Sequence, residues 1–166
     1  GGFQDMRVLG LLVDAHQLPV LHQQLTVADR ELIEQAMKAT DNAYAEYSHF
    51  YVGAALRLAN GRIVIGANQE NAAFPSGLCA ERTAVFSAQA NFPDQSIESL
   101  ALVACNANGL VGSPVTPCGA CRQVLLGVEE RYAHPMRVFM YGKSGVYIVD
   151  SVKDLLPLSF VDSSMK

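Results

Sequence analysis

The chain has 166 residues, half of them apolar and 17% charged, with a formal net charge of −4. One domain of this size buries roughly two thirds of its unfolded surface, and so many apolar residues for so few charges point to surface covered by other subunits. No two Lys or Arg residues are adjacent, which argues against nucleic acid as a partner; the apolar run at residues 8–13 is far short of the ~20 residues that span a bilayer and lacks a signal-peptide cleavage site.

No internal repeat or low-complexity linker divides the chain, so we expect residues 26–166 to form a single domain. Residues 1–25 form an N-terminal arm: part of it reads as a strand, part has no period, and it is left unassigned. From Thr26 the pattern turns helical. Thr26 and Asp29 make a capping box with Asp in the place of Glu, and Leu32, Ile33, Ala36, Met37 and Ala43 fall at helical spacing, with Thr40 the polar member of the stripe. Residues 52–60 and 61–68 read as two strands joined around Asn60-Gly61, a hairpin signal. Residues 79–89 read as a helix entered through Pro75-Ser76-Gly77. A buried strand follows at 99–105, then a helix at 118–128 directly after Pro117. Strands at 136–141 and 146–150, joined by Gly142-Lys143-Ser144-Gly145, close the list. Alternation of this kind predicts an α/β sheet layered with helices.

With no export signal recognised, the cytoplasm is the expected compartment, where thiols stay reduced and serve metals or catalysis. Of the four cysteines, Cys118 and Cys121 lie three apart in "PCGAC", which brings both sulfurs to one side of a first helical turn. The backbone N–H groups there favour thiolates. Alone, this motif also fits a redox dithiol or half of a structural zinc site. A second motif, "CAERTA", places Cys79 at another helix start with Glu81 two residues later. Three sulfurs are one short of a closed structural site and leave a fourth position open, as catalytic zinc sites do. Cys105 reads as a buried core thiol at the end of an apolar strand. His16, His22, His49 and His134 are isolated and read as ordinary surface or core residues. Glu81 can be a first-turn glutamate favoured by the helix dipole; beside a metal it can hold a water and move its protons, work typically worth ~10²–10⁴-fold in rate. Three thiolates on Zn²⁺ leave a net negative site, which the two helix N-termini and Arg82 would offset; Arg82 also fits a plain surface helix position.

Two cysteine blocks with a glutamate that is not a ligand match the zinc deaminase pattern. Over residues 31–160 the chain resembles the small homotetrameric cytidine deaminases. The carriers are "SHFYVGAAL" (48–56), "GANQENAAFPSGLCAERTA" (66–84), "PCGACRQVL" (117–125) and "DLLPLSF" (154–160). The resemblance implies a three-layer α/β/α fold with a mixed five-stranded sheet, one zinc per subunit, and hydrolytic attack on C4 of cytidine or deoxycytidine in pyrimidine salvage. It implies Cys79, Cys118 and Cys121 as ligands and Glu81 as proton shuttle. Asn68 and Glu70 resemble the pair that holds the sugar, a role compatible with two side chains at i and i+2 of an extended segment; turn polarity is the plainer account of both. Phe50 resembles the pocket aromatic, Ala80 the residue whose backbone helps read the base, and Phe160 the C-terminal aromatic that reaches a neighbour's site. Phe74 stands where many members have Tyr, and Tyr51 where Pro is usual. Three other readings compete: a relative that deaminates a nucleoside antibiotic of the blasticidin S type, which Glu70 argues against; a nucleic-acid editor, which the acidity argues against; and a non-catalytic module stabilised by zinc.

Overall fold

A computed structural model of the chain describes residues 25–166, so all of the 1–25 arm except Leu25 lies outside the described residues. Helix α1 covers Val27–Ala39 and is held at its start by the expected box: Asp29 N–H donates to Thr26 Oγ1 at 3.1 Å, and Thr26 N–H to Asp29 Oδ2 at 3.3 Å. The helix stops before Ala43. The Thr40 hydroxyl donates to the Met37 carbonyl at 2.6 Å, a single 3₁₀ turn follows at Thr40–Asn42, and Ala43 is already extended.

Strands β1 (Tyr51–Leu58) and β2 (Ile63–Ala67) form the predicted antiparallel hairpin, with both strands ending short of the turn. Gly61 sits at φ +83°, a left-handed conformation that favours glycine, and its N–H closes on the Leu58 carbonyl at 2.8 Å. Helix α2 runs Ala80–Asn91, β3 Ile97–Asn106, β4 Gly109–Leu110, α3 Gly119–Tyr132, β5 Arg137–Gly142 and β6 Gly145–Val149. The sheet order is β2-β1-β3-β5-β6, with β3 and β5 parallel and the other neighbours antiparallel. These five strands are the ones read from the sequence. The short β4, paired to the end of β3, makes the sheet six-stranded rather than five-stranded.

Alternate residues of the inner strands bury opposite ways, as a period of two requires. Ala54, Leu56, Leu100, Leu102, Val138 and Met140 pack with α2 and α3 residues such as Val85 and Leu125. Ala55, Ala101, Val103 and Phe139 pack on the other face with Leu32, Ile33 and Ala36 of α1. The result is the expected three-layer α/β/α arrangement. Gly66 lets α2 lie directly on β2: a Cβ there would stand 2.5 Å from both the Ala80 carbonyl oxygen and the Ala84 nitrogen. Cys105 departs from expectation. It is only half-buried: it lies next to the last residue of β3, where it pairs with Tyr51 and with Leu110 of the short β4.

Candidate metal centre and active site

Both helices of one layer begin at a cysteine. Cys79 is the N-cap of α2 and Cys118 that of α3, each with extended backbone and no side-chain capping bond, so their sulfurs are free for other work. Cys121 lies one turn into α3 and is fully buried. The three Sγ atoms all fall within 4.8 Å of one another, and Cys79 and Cys118 are 3.8 Å apart. A tetrahedral zinc with Zn–S bonds of about 2.3 Å spaces its sulfurs by about 3.8 Å, so the thiols fit that ion. Cys105 and the histidines of the described residues are outside the group.

Two charged side chains complete the cluster. Arg82 Nη2 donates to Cys79 Sγ at 3.5 Å, while its Nε is buried without a partner among the described residues. A guanidinium so placed suits a site built to carry thiolate charge. The Cys79 thiol is held below its ordinary range by hydrogen bonding from Cys121 and by Arg82, and Cys121 is pushed up because Cys79 holds its proton in place. Glu81, second residue of α2, is 4% exposed. Burial pushes its carboxyl up to about 7, an effect that the Cys79 charge reinforces and that Cys121 and Arg82 only partly offset.

The chain before α2 ties a second group of predicted residues to this centre. Gln69 and Leu78 exchange backbone hydrogen bonds of 2.9 and 3.0 Å, and Tyr44 pairs with Gln69 on the other side. Glu70 therefore sits next to the pairing that leads into Cys79. The side chains of Asn68 and Glu70 both turn toward the segment 47–52, consistent with their spacing of two. Asn68 donates to the Phe50 carbonyl at 2.9 Å and accepts from Val52 N–H at 2.8 Å. The Glu70 carboxylate accepts from the Ser48 hydroxyl and from the N–H groups of Tyr47 and Ser48 at 3.0 and 3.1 Å, bonds that hold it below the usual carboxylate range. Ser48 was the part of this clamp that no sequence signal singled out. His49, between Ser48 and Phe50, takes φ +52° to close the turn. A groove of about 400 Å³ opens beside it, lined by Tyr47, Ser48, Glu70, Asn71, Phe74 and Gly77. Phe74 is 69% exposed and meets Tyr47 edge-on at 5.2 Å between ring centres.

Of the remaining predicted residues, Phe50 is half-buried, Ala80 is fully buried as the first residue of α2, and Phe160 is exposed. The Phe160 backbone is anchored to α3, its carbonyl accepting from Gln123 Nε2 at 2.9 Å.

Residues 26–132 match the family model for the zinc-binding region of cytidine and deoxycytidylate deaminases. The chain belongs to this deaminase family. It is 38% identical over 138 residues to the cytidine deaminase of Halalkalibacterium halodurans, an alignment covering 82% of this chain and 98% of the relative. The cytidine deaminase of Sporosarcina psychrophila is 42% identical over 130 residues, covering 78% and 89%. The crystal structure of cytidine deaminase from Burkholderia pseudomallei superposes with a TM-score of 0.69 at 38% identity, covering 82% of this chain and all of that one. The family's zinc-binding region takes in all three clustered cysteines and Glu81 of this chain.

Proposed function

We propose that this deaminase converts cytidine and deoxycytidine to uridine and deoxyuridine with release of ammonia, using one zinc held by Cys79, Cys118 and Cys121. The observation that carries this reading is geometric: three sulfurs lie within 4.8 Å of one another, and the buried Glu81 carboxyl stands in the first turn of the helix that Cys79 opens. A carboxyl poised near neutral pH gives and takes protons with least penalty. When bound, zinc supplies Lewis-acid activation of water. Glu81 takes a proton from the attacking water and delivers it to N3 of the base. After addition at C4, it takes the proton of the new C4 hydroxyl and passes it to the amino group, which leaves as ammonia as the C4 carbonyl forms. Arg82 balances the charge of the thiolates. Ala80 opens α2, which has no side-chain cap, so the Ala80 N–H suits an acceptor on the base.

Phe50 stacks on the substrate, while Asn68 and Glu70 present its sugar site. Asn68 does so chiefly by fixing the backbone at Phe50 and Val52, which its side chain already binds. Residues 26–166 act as one domain. Exposed Phe74, Leu158 and Phe160 support a homotetramer in which Phe160 reaches a neighbour's site. Three reduced thiols suit a cytoplasmic enzyme. No helix among the described residues is long and apolar enough to cross a membrane.

The deciding assay follows the loss of cytidine absorbance together with ammonia release, with blasticidin S as competitor substrate. The reading expects turnover on the nucleoside and little on the antibiotic. Ammonia from blasticidin S alone would assign the site to the antibiotic class, and ammonia from neither would leave a non-catalytic zinc module.

A further inference from the structure

Among the three clustered cysteines, Cys118 is the exposed one, whereas Cys121 is fully buried and Cys79 half-buried. Packing therefore does little to fix Cys118, and no capping bond holds it. What fixes the chain there is Arg122, in the first turn of α3. Its Nε donates to the Pro117 carbonyl at 2.8 Å, Nη2 to Thr116 Oγ1 at 3.1 Å, and Nη1 to the Leu155 carbonyl at 2.8 Å. The Pro117 carbonyl belongs to the peptide unit that carries the Cys118 nitrogen, so Nε grips the plane from which Cys118 hangs. Leu155 closes the 3₁₀ turn Val152–Leu155, which packs against α3. One rigid fork thus joins the 116–118 loop to the C-terminal turn, which a lysine, offering a single point of charge, cannot reproduce.

We propose that Arg122 is a positioning residue for the metal centre, holding the 116–118 loop so that the Cys118 sulfur arrives at the Cys79–Cys121 pair. The inference rests on the reading that these sulfurs hold zinc; tight binding of one zinc by the wild-type chain is the control for that reading. The experiment measures zinc affinity by competition with a chromophoric chelator for the wild type, Arg122→Lys, Arg122→Ala and Glu129→Gln. Glu129 accepts bonds from Val152 N–H at 2.7 Å and from the Ser151 hydroxyl, so its replacement loosens the same C-terminal turn without touching residues 116–118. Loss of a group that orients a ligand typically weakens metal binding 10–100-fold, and Arg122→Ala should fall in that range with Arg122→Lys between it and the wild type. Glu129→Gln should melt earlier yet keep its zinc affinity. The proposal is overturned if Arg122→Ala binds zinc as the wild type does, or loses no more than Glu129→Gln. Should Arg122→Ala fail to fold, wild-type affinity in Arg122→Lys overturns it equally.

Discussion

Asn68 bonds two backbone groups at once, the Phe50 carbonyl and the Val52 N–H, from a partly buried position. Asn68→Ala leaves both without that partner, and an unsatisfied buried polar group costs ~1–3 kcal/mol. For a chain of this size each kcal/mol lowers the melting temperature by roughly 2–4 °C. A calorimetric scan should show that drop; an unchanged melting curve would mean that the amide is held in reserve for a ligand. Glu81 gives a second residue-scale prediction, in the metal-free protein. Its folded pKa of about 7 lies above the ordinary 4.5, so the folded state favours the protonated carboxyl. That contribution is fully present below pH 4.5 and is lost as pH rises through 7. Denaturant titrations of metal-free wild type and Glu81→Gln should therefore converge near pH 4 and separate by pH 8, with the glutamine variant the more stable. Parallel curves would show the carboxyl to be solvated.

At the scale of elements, the two helix starts decide the site. Gly66→Ala would drive a methyl to within 2.5 Å of the α2 backbone, and overpacking of this kind costs about 1–3 kcal/mol or more. Because α2 carries Cys79 and Glu81 at its first turn, the variant should lose stability and turnover together; retention of both would show that α2 can shift without consequence. The cysteine blocks were legible because metal chemistry demands few residue types at fixed spacing, and the strands because buried apolar runs announce themselves. The clamp of Ser48 on Glu70 was not, since a serine in a loop looks the same whether or not it holds a carboxylate. Glu129 hid in the same way. It is a helix glutamate like its neighbour Glu130, yet it is 5% exposed and accepts the N–H groups of Met136 and Val152 at 2.7 Å each. Tertiary contact, with sequence separations of seven and 23, gave it that role. Helix ends were legible only to within a few residues: the apolar period runs on to Ala43, whereas α1 gives way to a 3₁₀ turn at Thr40–Asn42 and Ala43 is extended. Half-buried Cys105 was not legible for a related cause: apolar character along β3 does not reveal how deeply the strand's end is covered.

At the scale of the whole molecule, zinc bound to the folded state and weakly to the unfolded one stabilises the fold by mass action, about 2.7 kcal/mol at a free concentration 100 times Kd. Chelation should therefore lower the melting temperature and readdition of zinc restore it; a melting curve indifferent to both would detach the metal from the fold. The homotetramer proposed above predicts a light-scattering mass four times that of the monomer, with the exposed Phe74, Leu158 and Phe160 available for its contacts; a monomer would count against it. The central claim, that three sulfurs hold the metal while a separate carboxylate moves the protons, is tested most directly by measuring zinc content and cytidine turnover on one preparation of Glu81→Gln. We predict one zinc per chain, as in the wild type, with turnover reduced by at least ~10²–10⁴-fold, the span of general acid–base catalysis. Robust turnover in that variant, or loss of its zinc, would contradict the account.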